Sequence, residues 1–173
     1  MSRRVLFLDI DGVLNSIAWF RSRGPWPKDP PRWRHDFDPD AVALLDEFVR
    51  AVDADIVLSS TWRLLYPIDA ISDQLAALGL SRRIVGKTPD WHTAPAGYIV
   101  GTYPTRGREI QAWLGTRPEP PDAIAIVDDD ADMGDLLPWL AQTNVERGIT
   151  REALERLTAL MSRPAPKREE AKP

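Results

Sequence analysis

The chain has 173 residues, no cysteine and a formal charge of −4. That length suits one domain with a sizeable core, and the missing thiol excludes disulfides, a thiolate metal site and a cysteine nucleophile. So mild an acidic balance also excludes whole-protein electrostatic attraction to nucleic acid, leaving local basic patches as the only route to it.

Met1-Ser2-Arg3-Arg4 ahead of Val5–Leu8 has the order of an export signal, but Asp9 cuts the apolar run short. Nothing later approaches the length needed to span a membrane. The expectation is a soluble, cytoplasmic protein with no membrane contact.

Val5–Leu8 is a short apolar run without alternation, which predicts a strand buried on both faces. Asp38 before Pro39 is an N-cap followed by proline at the first helical position, and Val42, Leu45, Phe48, Val49 and Val52 supply the apolar face. Ile56-Val57-Leu58 predicts a second buried strand. Pro67 opens a helix with Ile68, Ile71, Leu75 and Leu78 in phase, stopped at Gly79. A short strand around Ile84-Val85 follows. Ile110, Trp113 and Leu114 mark a helix ended by Gly115, directly before an Ile124–Val127 strand. Thr150 caps a last helix carrying Leu154, Leu157, Leu160 and Met161. Strands alternating with helices imply an α/β fold whose parallel sheet is covered on both faces.

Three stretches break the alternation. Residues 16–37 are rich in Trp, Arg and Pro and read as a flap; residues 86–105 read as a loop insert; residues 163–173 are proline and charge and read as a disordered tail. The domain proper is then 1–162.

The polar residues sit at the strand ends. Asp9 and Asp11 follow the first strand, Ser59-Ser60-Thr61 the second, and Asp128-Asp129-Asp130, with Asp132 nearby, the Ile124–Val127 strand. Ligands of open parallel sheets bind beyond the carboxyl ends of the strands, so these clusters converge on one crevice. Acids from two strand ends repel unless a cation sits between them. An all-oxygen donor set selects a hard ion, with Mg²⁺ the obvious candidate.

These residues resemble the haloacid dehalogenase (HAD) superfamily of phosphohydrolases. Asp9-Ile10-Asp11-Gly12 is similar to its first motif, Ser59 to its second, Arg106 in "RGREI" to its third, with Arg108 as the other choice, and Asp128-Asp129 to its fourth. The four occur in order over roughly residues 5–135. Together "DIDGVLN", "LSSTWR", "RGREI" and "IVDDD" resemble the HAD domains of Swiss-army-knife RNA-repair proteins. The chain departs from many superfamily members in carrying Val13 and Asn15 after the Asp-Gly pair.

The resemblance implies a Rossmann-like three-layer core with a short flap in place of a large cap. It implies that Asp9 attacks phosphorus to form an aspartyl-phosphate and that Asp11 serves as acid, then base. Mg²⁺ is then held by Asp9, the Asp11 backbone carbonyl and Asp128 or Asp129, with Asp132 in an outer or alternative place. Ser59 and Arg106 bind the phosphoryl oxygens, and no other cofactor is implied.

Trp19, Trp26 and Trp33 lie seven apart, but Pro25, Pro27, Pro30 and Pro31 forbid one continuous helix. They either pin the flap to the domain or, with Arg21, Arg23, Arg32 and Arg34 among them, stack on a base and pair with backbone phosphate. The second reading makes the partner a nucleotide or a DNA or RNA end. A phosphatase for a small metabolite or free nucleotide and an inactive binding protein with the same fold are the rivals, and no protein partner is inferred.

Overall fold

The computed structural model describes residues 3–23, 37–90 and 106–166. Within them the elements run β1 (Arg4–Leu8), α1 (Ile17–Ser22), α2 (Pro39–Val52), β2 (Ala54–Leu58), α3 (Trp62–Leu65), α4 (Ile68–Ala77), β3 (Ile84–Lys87), α5 (Arg106–Gly115), β4 (Ala123–Asp128), a 3₁₀ turn (Gly134–Trp139), β5 (Leu140–Gln142) and α6 (Arg151–Met161).

A run as apolar as Val5–Leu8 needs cover on both faces, and it finds it at the centre of the sheet. Among the described residues the strands are all parallel, in the order β3-β2-β1-β4-β5. Successive side chains point to opposite faces. Leu6 and Leu8 therefore join Ile56, Leu58, Ala125 and Val127 under α2, α4 and α6. Val5 and Phe7 join Val57, Ile124 and Ile126 under α5, with Met133 and Leu136 beside them. Phe7 meets Trp113 edge to face, with ring centroids 5.3 Å apart.

The predicted caps hold. Asp38 accepts the Asp40 N–H at 2.9 Å ahead of α2, and Thr150 accepts the Ala153 N–H at 3.4 Å ahead of α6. The α4 pattern ends where expected, with Gly79 at φ +103°, a left-handed turn that glycine takes without strain.

Three features differ from the sequence reading. β5 extends the sheet by one strand, although its three residues follow Pro138 and carry no β-rich run. The flap interval begins with a helix, α1, because Ser16 caps it by accepting the Trp19 N–H at 3.1 Å. The start of the assigned tail is docked, since the Ala165 N–H donates to the Asp122 carbonyl at 2.9 Å and Arg163 donates to the Pro138 carbonyl at 2.8 Å. No helix among the described residues is long and apolar enough to cross a membrane.

Candidate active site

The chain winds outward from β1 in both directions, to β2 and β3 on one side and to β4 and β5 on the other. The reversal opens a crevice at the carboxyl ends of β1 and β4. Asp9, the residue after β1, is still tied to both neighbours: its own N–H donates to the Val127 carbonyl at 3.0 Å, while the Ser59 N–H donates to the Leu8 carbonyl at 2.9 Å. Asp9, Ser59 and Asp128 are thus brought side by side, and all three are buried.

The cation comes from the first residue of α5. Arg106 donates to Asp9 Oδ1 at 3.1 Å and to the Ser59 carbonyl, and its Nε lies 3.7 Å from Asp128 Oδ2. Close packing puts it there. The Gly107 N–H donates to the Asp132 carbonyl at 3.0 Å, and a β-carbon on Gly107 would stand 2.0 Å from the Met133 carbonyl oxygen. Only glycine lets the helix end approach so near. Arg108, two residues on, is exposed, so of the two arginines it is Arg106 that reaches Asp9.

Asp132, which the sequence reading gave an outer or alternative place at the metal, sits beside the start of α5. Its carboxylate accepts the Arg106 N–H at 3.2 Å, so it caps the start of α5.

Carboxylate oxygens of Asp9, Asp128 and Asp129 lie within 4.8 Å of one another. Burial pushes the Asp9 carboxyl up to about 6, against the pull of Arg106 and a Ser60 hydroxyl hydrogen bond. Burial, reinforced by the Asp9 charge, pushes Asp128 up to about 7. Asp129 is raised by burial as well. Three acids that resist ionising together form a site short of positive charge. Among the described residues the buried Asp128 Oδ2 and Ser59 Oγ find no hydrogen-bond partner, since for Asp128 3.7 Å from Arg106 Nε is too long for one. A hard divalent cation fits this donor set: it would satisfy Asp128 Oδ2, while a ligand oxygen would satisfy Ser59 Oγ.

Asp11 is placed apart from that group. Its Oδ2 accepts from the Trp62 indole N–H at 2.9 Å, and its Oδ1 accepts from the Asn15 amide at 2.9 Å. Both carboxylate oxygens of Asp11 are thereby engaged, and Asp11 is not one of the three acids whose oxygens lie within 4.8 Å of one another. Asn15, a departure from the family pattern, also accepts the Gly12 N–H at 3.0 Å through Oδ1, closing the loop on itself. Asp130 is exposed and contributes its backbone, donating to Asp128 Oδ1 at 2.9 Å.

β5 supports the site from the far side. Thr143 Oγ1 donates to the Gly12 carbonyl at 2.8 Å, and the Gln142 amide donates to the Asp129 carbonyl at 2.9 Å. Gly12 has φ +69°, and a β-carbon there would lie 2.5 Å from Asp129 Cγ.

Of the flap residues, Trp19, Arg21 and Arg23 fall on or beside α1. Arg21 pairs with Glu146 at 2.9 Å. The Arg23 guanidinium lies over the Phe20 ring at 4.9 Å and the Trp19 ring at 5.9 Å. Trp26, Arg32, Trp33 and Arg34 lie outside the described residues, as do residues 91–105 of the loop insert.

Sequence reasoning missed Trp62, Arg63, Glu109 and Thr143. Their signal was faint: an arginine among apolar residues in "TWRLL", and a glutamate one turn after Arg106.

Over residues 5–154 the chain matches the family model described as HAD domain in Swiss Army Knife RNA repair proteins. No curated protein and no solved structure matches it.

Proposed function

The chain belongs to the HAD domain family of Swiss Army Knife RNA repair proteins, and on that premise we propose that it is a Mg²⁺-dependent phosphomonoester hydrolase acting through an aspartyl-phosphate. The observation that carries this reading is the meeting of Arg106 with Asp9 at 3.1 Å beside carboxylate oxygens of Asp9, Asp128 and Asp129 that lie within 4.8 Å of one another.

Asp9 attacks phosphorus in line; the bond to its carboxylate oxygen forms as the bond to the leaving oxygen breaks. Asp11 protonates that leaving oxygen. A water then attacks the aspartyl-phosphate, giving its proton to Asp11 and returning Asp9 to its starting state. Ser59 donates its free hydroxyl proton to a phosphoryl oxygen, and Arg106 shifts from Asp9 towards the charge that develops on the phosphoryl group. Asp9, Asp128 and Asp129 would hold Mg²⁺, which when bound neutralises the phosphoryl oxygens and the nucleophile.

The substrate we infer is a nucleotide or polynucleotide terminal phosphate. Support comes from the family's occurrence in RNA repair proteins and from Trp19 and Arg23 in the segment that follows the first motif, the Arg23 guanidinium lying 5.9 Å over the Trp19 ring. The pairing of Arg21 with Glu146 favours the rival reading of a small-metabolite phosphatase, since it spends one flap cation. A chain without cysteine suits a reducing cytoplasm.

The deciding experiment is a panel of phosphate esters assayed with Mg²⁺, including 3′- and 5′-phosphorylated DNA and RNA, mononucleotides and an aryl phosphate. Turnover of the oligonucleotides above the rest supports the polynucleotide-end reading, and preference for mononucleotides or the aryl phosphate supports its rival, a small-metabolite or free-nucleotide phosphatase. No turnover of any ester would overturn the enzymatic reading.

A further inference from the structure

Among the described residues Arg63 heads the fully buried side chains in size. A guanidinium with no water must find its partners inside the protein, and this one finds four. It donates through one nitrogen to the Ser59 carbonyl at 3.0 Å and the Ser60 carbonyl at 2.7 Å. Through the other it donates to Glu109 Oε2 at 2.6 Å and the Pro89 carbonyl at 3.2 Å. Glu109 is itself only 2% exposed.

The position of this pair matters more than its energy. A buried ion pair is often no more stabilising than apolar residues of the same volume, so stability alone gives no reason for it. What it joins is specific. Arg63 grips the loop that carries Ser59, and Glu109 stands one turn after Arg106 on α5. The Ser59 carbonyl receives both Arg63 and Arg106. Two guanidiniums on one oxygen repel, and Glu109 is the carboxylate whose charge acts on both.

We propose that Arg63, with Glu109 as its counter-ion, is a positioning residue that sets the spacing between Ser59 and Arg106, so that both reach one phosphoryl group. The proposal rests on the phosphatase reading and deepens it: the pair tunes phosphate binding and leaves metal binding to Asp9, Asp128 and Asp129.

Two variants test it. Arg63→Lys keeps the charge but lacks the planar fork that spans three carbonyls and a carboxylate. The double variant Arg63→Met/Glu109→Leu removes both charges and leaves neither one buried alone. Thermal unfolding is followed without ligand, with Mg²⁺, and with Mg²⁺ plus orthophosphate; kcat/KM is measured on an aryl phosphate. The Mg²⁺ shift should persist in both variants. The additional orthophosphate shift should shrink, corresponding to at least about a tenfold loss of phosphate affinity, with a similar or larger fall in kcat/KM, as small misplacements of binding groups produce. A folded variant with phosphate affinity and turnover within about twofold of wild type would overturn the proposal. So would a variant in which the Mg²⁺ and phosphate shifts fall together, because the pair would then be structural only. If the double variant does not fold, Arg63→Lys decides. If wild type hydrolyses no ester, the phosphatase reading fails, and the orthophosphate shift alone still decides what Arg63 does; wild type showing no orthophosphate shift would refute both.

Discussion

Arg106 meets Asp9 at 3.1 Å across 97 positions of chain. A permanent cation resting on a carboxylate that burial holds up at about 6 keeps part of that acid ionised where burial alone would protonate it. The same guanidinium is then placed to receive an incoming phosphoryl group.

Arg106→Ala should therefore lose both effects. Hydrogen bonds to charged groups are worth roughly 1.5–3 kcal/mol, so kcat/KM on an aryl phosphate should fall by about tenfold to a hundredfold or more. Arg108→Ala, at an exposed position two residues from the contact, should stay within about twofold of wild type. Steady-state kinetics on the two variants check this. The reverse order of effects would reassign the third motif to Arg108.

How much of this was legible in the chain depended on how local each signal was. Val5–Leu8 ending in Asp9, and Ile124–Val127 ending in Asp128, announce buried strands with acidic ends, because a strand's burial is written in its own residues. The choice between Arg106 and Arg108 was not legible, because it turns on the helix end pressing Gly107 against Met133, a contact between distant segments. Arg63 gave only a faint signal for a related reason: arginine reads as a surface residue until its partners are found, and Glu109 is 46 positions away. β5 was lost because Leu140–Gln142 is too short to carry a period; the Gln142 and Thr143 bonds to the site went with it.

The metal should couple to pH in a definite direction. Asp9 and Asp128 have folded values of about 6 and about 7, above their ordinary value of 3.8. Between about pH 4 and 7 the folded state thus binds more protons than the unfolded state, so these two groups make the metal-free protein less stable as pH rises through that window. Mg²⁺ needs the same carboxylates deprotonated, so it competes with those protons. The Mg²⁺-induced rise in Tm should be small near about pH 5 and large near about pH 8. At a hundred times its Kd it should reach about 2.7 kcal/mol, or roughly 5–10 °C in a domain of this size. Scanning calorimetry with and without EDTA measures it, and a rise that is equal at both pH values would remove Asp9 and Asp128 from the metal site.

Gly12 offers a way to disturb the proposed metal site without replacing a ligand. A β-carbon there would lie 2.5 Å from Asp129 Cγ, on a backbone at φ +69°. Gly12→Ala must push Asp129 aside and strain the loop, at a cost on the order of 1–2 kcal/mol for the backbone alone. The activating Mg²⁺ concentration should rise by about tenfold or more, and saturating Mg²⁺ should recover part of the activity. A titration of rate against Mg²⁺ that is unchanged from wild type would mean that Asp129 does not hold the ion.

The flap carries the riskiest prediction. If Trp19, Trp26 and Trp33 hold the nucleotide part of a substrate, the energy they supply lies far from the reacting phosphorus, so its loss should hurt large substrates and spare small ones. One base–aromatic stack is worth ~1–3 kcal/mol, so replacing the right tryptophan by Ala should cut kcat/KM on a phosphorylated oligonucleotide by roughly tenfold or more. Hydrolysis of an aryl phosphate, which on the proposed mechanism needs Asp9, Ser59, Arg106 and Mg²⁺, should barely change. Neutralising Arg23, Arg32 and Arg34 should also flatten the salt dependence of oligonucleotide turnover, because fewer counterions are released. Arg21 should contribute less to that slope, since Glu146 already pairs with it at 2.9 Å. Packing makes a different forecast for Trp19, whose buried indole N–H finds no hydrogen-bond partner among the described residues: both substrates lose rate together, along with Tm. Parallel losses at all three tryptophans would sink the nucleic-acid reading and leave a HAD-family phosphatase acting on a small ester.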